Sequence, residues 1–233
     1  MGPGHWLALA LSLACAGGAS ADPGYYLLTP YSQPGQAALD LRYWSVKAPG
    51  EAASLWPEAG LRYGINSRWT SELLLSAIGP SLGAQTLSSI NWQNTVLLTQ
   101  GQYPFDLALH AQLIHRHDDG NAVEYGPLLQ TEWGLTQLNL NLVFERDWAA
   151  ASGTRLKYQW QALRRLQPGL RLGVQGFGEL GPWDHGSQRQ SHRAGPVLRL
   201  ALGEKLELQA ACLWGRIYGG PGTMVSAQLL LPF

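Results

Sequence analysis

Between Thr136 and Arg146 every second side chain is apolar: Leu138, Leu140, Leu142 and Phe144 alternate with Gln137, Asn139, Asn141 and Glu145. Side chains on an extended chain point to opposite faces in turn, whereas a helix would scatter these residues around its axis. The segment therefore reads as a strand with one apolar and one polar face. The same period recurs along most of the chain. Strands are expected at Gln36 to Lys47, Leu55 to Asn66, Arg68 to Gly79, Ser89 to Thr99, Tyr103 to Leu113, Ala122 to Trp133, Thr136 to Arg146, Arg155 to Arg165, Leu170 to Leu180, His192 to Ala201, Leu206 to Tyr218 and Gly222 to Phe233. Short links at 66–68, 100–102, 134–135, 167–169 and 202–205 alternate with longer ones, so the strands run up and down, antiparallel to their neighbours.

Periodicity leaves open which face meets water. A soluble lipocalin-like barrel would show the same alternation with its apolar residues inside. Composition argues against it: 14% of residues are charged, against roughly 25% in a soluble domain, and only Lys47, Lys157 and Lys205 are lysines. Aromatic residues also gather at strand ends. Tyr63, Trp69, Tyr103, Phe105, Trp133 and Phe233 fall at the end with the short links, and Tyr43, Trp92, Tyr125, Trp214 and Tyr218 toward the other, as two interfacial belts would require. Strands of this length suit a tilted crossing of a bilayer, and in lipid only a closed barrel satisfies every strand hydrogen bond. Sixteen basic and sixteen acidic residues cancel, so no field for nucleic acid is expected.

The first residues have a different character. Trp6 to Ala16 is apolar but too short to span a bilayer as a helix, and Ala19-Ser20-Ala21 is an A-x-A cleavage pattern. Residues 1–21 are expected to be a signal peptide cleaved before Asp22. That leaves Cys212 as the one cysteine of the mature chain, without an internal disulfide partner. Residues 22–35 contain Pro23, Pro30 and Pro34 and read as a lead-in segment tucked into the barrel mouth, because proline interrupts a strand ladder.

The last strand carries the most informative pattern. Val225, Ala227, Leu229, Leu231 and Phe233 share one face, and the chain stops on the aromatic ring. This resembles the closing strand of bacterial outer-membrane β-barrels, and the resemblance extends over 36–233 as a class. It implies an all-β, antiparallel transmembrane barrel of about 12 strands with short periplasmic turns, longer external loops, both termini in the periplasm and outer-membrane lipid around it. It also implies that Phe233, Leu231 and Leu229 are read by the barrel assembly machinery.

With apolar faces outward, the interior receives nine carboxylates and nine cations, among them the candidate site residues Glu58, Arg62, Glu124, Glu132, Glu145, Lys157, Arg171, Glu179, Arg193 and Arg199. They can pair with one another, because an unpaired charge away from bulk water is costly, or they can line a constriction that sorts solutes by size and charge. Early strands are acidic or mixed and later ones basic, so walls of opposite sign are one expectation. No catalytic, cofactor or metal site is expected. His115-Arg116-His117-Asp118-Asp119, Trp183-Asp184-His185 and His192 lie at predicted outer links or ends, where such residues are solvated, and no serine or carboxylate is placed to activate His192 beside Cys212. The chain reads as a narrow passive channel for small hydrophilic solutes. The alternatives are a closed barrel with a structural or surface role through the loops at Gly79 to Ser88 and Gly181 to Ser191, and, behind it, a membrane-embedded lipid hydrolase. Solute and oligomeric state are left open.

Overall fold

Each strand pairs with its neighbours in sequence, and the last returns to the first. The computed structural model describes residues 26–117, 120–148, 153–184, 190–203, 206–217 and 220–233; the expected signal peptide, Asp118, Asp119, His185, Lys205 and Tyr218 lie outside them. The strands are β1 (Ala37–Lys47), β2 (Ser54–Gly64), β3 (Trp69–Ser81), β4 (Ala84–Leu97), β5 (Phe105–Arg116), β6 (Gly120–Trp133), β7 (Thr136–Asp147), β8 (Arg155–Gln167), β9 (Leu170–Pro182), β10 (Ser191–Ala201), β11 (Glu207–Ile217) and β12 (Gly220–Pro232). They form one closed antiparallel barrel. The seam joins β1 to β12 from Ala38 opposite Pro232 to Lys47 opposite Thr223, and the Phe233 N–H donates to the Ala37 carbonyl at 2.9 Å.

The faces are as the alternation predicts. On β7, Leu140 is 49% exposed on the outside while Asn141 is fully buried inside. Leu61, Leu73, Leu75, Leu109, Leu113 and Val174 continue the outer apolar band, the inverse of a soluble barrel. Two outward tryptophans keep their N–H groups bonded: Trp69 donates to Asn94 Oδ1 and Trp92 to Ser71 Oγ, both at 2.9 Å. On β9 the outward Gly176 and Gly178 lie beneath the rings of Trp160 and Tyr158, which a β-carbon at either position would strike.

Several boundaries differ from the sequence reading, two of them most. Gly79 to Ser88, expected as a loop, is mostly strand: β3 runs on to Ser81 and β4 begins at Ala84, with irregular register after Ser76 and after Ile78. Polar Ser, Gln and Thr on both arms hide the period there. The extension also moves Trp92, opposite Leu73, away from the outer belt and toward the turn end, the end that holds the chain terminus. The link expected at 100–102 spans 98–104 instead, because Pro104 has no N–H to join the ladder and β5 starts at Phe105.

Candidate functional site

Inward-facing positions alternate with the outward-facing ones, so charge and amide side chains from all twelve strands meet in one interior. The charges do not stand on opposing walls. Most of the buried ones pair between strands that are neighbours or next neighbours, in three groups.

On β1 to β3, Arg42 donates to Asp40 at 2.8 Å and to both oxygens of Glu72 at 3.0 and 3.1 Å. Arg62 reaches the same two carboxylates, at 2.7 Å from Asp40 and 3.3 Å from Glu72. Gln93 donates to Glu72 as well, and Gln228 donates to Asp40. Glu58, buried beside this group, accepts from Ser76 Oγ at 2.7 Å. The second group spans β5 to β8: Arg116 donates to Glu145 at 2.7 Å and Asp147 at 2.8 Å, and Lys157 bridges Glu124, at 2.6 Å, and Glu145. In the third, Arg155 and Arg193 flank Glu179 at 3.4 and 3.3 Å. Nearly all these groups are buried, which a charge tolerates only with partners of opposite sign.

Arg116 and Asp147 are the members the sequence reading missed. It ended the fifth strand at Leu113, yet Asp106, His110 and Gln112 share the inward face, and Arg116 continues it two places past Ile114. The residues considered there for metal are dispersed: Arg116 points inward, and His115 points outward to Asn121 Oδ1 at 2.8 Å. Among the described residues no cluster of three or more metal-ligating side chains occurs. His192 lies outside on β10, between Tyr158 Oη at 2.8 Å and Gln190 Oε1 at 3.1 Å.

Two further features fill the interior. Amides form rungs: Asn139 donates to Gln130 at 2.7 Å, Gln137 to Asn139 at 2.8 Å, Asn141 to Gln159 at 3.0 Å and Gln161 to Gln175 at 2.8 Å. An apolar cluster of Trp44, Trp56, Phe177, Leu213 and Met224 occupies one side of the half remote from the turns, with Trp44 stacked on Trp56 at 4.0 Å. The alternation places Trp44 and Met224 on the inward register without naming their partners.

Residues 26–35 of the lead-in form a strap inside the barrel. Gly35 is fixed at the turn end by its N–H to the Gly64 carbonyl at 2.7 Å, and Ser32 Oγ donates to the carbonyls of Asn66 and Trp69. From there, toward lower residue numbers, the chain climbs inward. Tyr31 Oη donates to Asp106 at 2.7 Å; Leu28 donates to Gln159 at 3.3 Å and accepts from Asn141 at 2.9 Å. Tyr26 donates to Gln93 at 2.9 Å, and the Arg42 guanidinium lies 3.5 Å from its ring centroid. Tyr26 and Leu28 also pack on Leu97, Ala108 and Leu128. Burial pushes the Tyr26 phenol up from its ordinary range, and burial together with the Asp106 hydrogen bond does the same for Tyr31. Both hydroxyls therefore stay protonated donors.

Below the strap a cavity of about 340 Å³ opens between Thr29, Tyr31 and Gln33 on one side and Gln137, Arg171, Arg199 and Gln209 on the other. A second of about 340 Å³ adjoins it at the mouth. Higher up, beside Tyr26, Arg42 and Trp44, a space of about 10 Å³ remains, room for about one water. Of the predicted residues, Glu132, Arg171 and Arg199 belong to this vestibule with Arg62; Glu58, Glu124, Glu145, Lys157, Glu179 and Arg193 lie in the packed interior. Leu229 and Leu231 sit opposite Leu41 and Leu39 in the seam, and Phe233 is exposed at its end.

A closed antiparallel barrel of twelve strands, apolar outside and polar within, is the fold of outer-membrane porins and channels. Two solved structures with this fold match most of the chain. One is the NanC porin, at a TM-score of 0.64 and 6% identity over 83% of this chain and 98% of that one. The other is the COG4313 outer membrane channel from Pseudomonas putida F1, at 0.64 and 14% identity over 91% and 99%. No protein-family model matches the sequence, and no curated protein matches it either.

Proposed function

We propose that the chain is an outer-membrane barrel that passes small hydrophilic solutes passively, and that the strap at 26–34 sets the width of the path. The carrying observation is that the vestibule ends against this strap, a segment anchored at Gly35 and held by a handful of hydrogen bonds, rather than against the barrel wall. The turn end faces the periplasm in this reading, residues 1–21 are the cleaved export signal, and Phe233 with Leu231 and Leu229 presents the closing strand to the assembly machinery. A second reading, a closed barrel with a structural or surface role, draws support from the buried ion pairs and the Trp44–Trp56 cluster. Conductance in planar bilayers separates the two. The refolded mature chain is expected to show small unitary steps, and a variant lacking residues 22–34 larger ones; silence from both, with heat-modifiable gel mobility proving each folded, would establish the closed barrel.

A further inference from the structure

Arg165, Arg171 and Arg199 stand in one row across β8, β9 and β10. Arg171 is the register partner of both others, and all three side chains are on the inward face at the turn end. Like charges directly opposite on adjacent strands oppose pairing, so such a row needs negative charge nearby. The protein supplies little of it. Arg199 Nε meets Glu207 at 2.8 Å, but that carboxylate side chain is 42% exposed. Arg171 has Glu132 only at 3.7 Å, with the carboxylate 58% exposed, and spends its shorter contact, 2.6 Å, on the neutral Gln137. Arg165 is in no ion pair among the described residues. Taken together, the three interior groups set seven carboxylates against six cations; this row sets three arginines against two half-exposed carboxylates, and two of its members line the cavity under the strap.

We infer that the vestibule is a binding site for small carboxylate solutes, held between Arg171 and Arg199 and closed over by the strap. Two guanidiniums present planar pairs of N–H donors that match a carboxylate's two oxygens, while Gln209, Gln137 and Tyr31 offer hydrogen bonds to the remainder of a polar solute. The inference deepens the channel reading by naming the class of solute that would concentrate at its turn-end mouth.

Equilibrium binding tests it independently of conduction. Succinate titrated calorimetrically into the refolded full-length mature protein in detergent is expected to bind, glucose and methylammonium not. Arg171→Gln and Arg199→Gln should each weaken succinate binding by about tenfold, the loss of one charge-assisted contact, and Arg164→Gln, on the outer face of β8, should leave it unchanged. Rising KCl should weaken wild-type binding, a readout that needs no variant to fold. Absence of succinate binding by the wild type, or equal binding of glucose, overturns the site, as does binding indifferent to KCl and to both inward substitutions. A barrel that binds succinate yet is electrically silent keeps the site and removes the channel; one that conducts without binding does the reverse.

Discussion

Glu72 accepts hydrogen bonds from Arg42, Arg62 and Gln93 at once, while Glu58, equally buried on the next strand, accepts one from Ser76. The two glutamates therefore differ in what their removal leaves behind. Glu72→Gln strands a buried guanidinium with Asp40 as its remaining counter-charge, and is expected to destabilise by about 3–5 kcal/mol. Glu58→Gln keeps an oxygen for Ser76 and should cost less than about 1 kcal/mol. Urea titration of the protein refolded into lipid vesicles measures both; equal costs would mean that the interior charges do not act as pairs. At this scale the sequence was half legible. The inward register of Glu124, Glu145 and Lys157 follows from alternation, but which cation meets which carboxylate depends on the stagger between strands, and one register step would exchange every partner.

The strands were the most legible level, because each carries its own period and closure leaves no edge to disturb it. Leu140, at mid-strand in β7 and exposed outward, should lose about 2–4 kcal/mol on replacement by Arg, whereas Leu166→Arg, outward but at the turn end of β8, should lose about 0–1 kcal/mol; unfolding in vesicles compares them, and equal losses would put the bilayer elsewhere. Gly178→Val, which drives a side chain into the Tyr158 ring, should cost about 1–3 kcal/mol, and Gly178→Ser less. What the sequence concealed lay where the period fails or is absent. The β3–β4 hairpin continues through polar residues with broken register, and the strap has no ladder at all: its place is set by single hydrogen bonds to Gln93, Asp106, Asn141 and Gln159, contacts that no local pattern announces. The prolines at 30 and 34 say only that this stretch is not a strand.

The whole molecule depends on β1 finding β12, since those two strands complete a ring that the other pairs leave open. Deleting Phe233, or replacing it by Ser, removes the last ring of that seam and is expected to lower the yield of inserted, heat-modifiable barrel and leave chain in the periplasm; unchanged surface yield would show that the terminal aromatic has no part in assembly. The strap adds an order in time. It leads directly into β1, yet its partners are Gln93, Asn141 and Gln159, at separations of 67, 113 and 131 residues, on strands synthesised long after it. The seam can close around it, but its own resting place does not exist until the interior of β4, β7 and β8 has formed. The segment that leads into the first strand is thus among the last to settle, and until it does the young barrel stands with its throat unstopped.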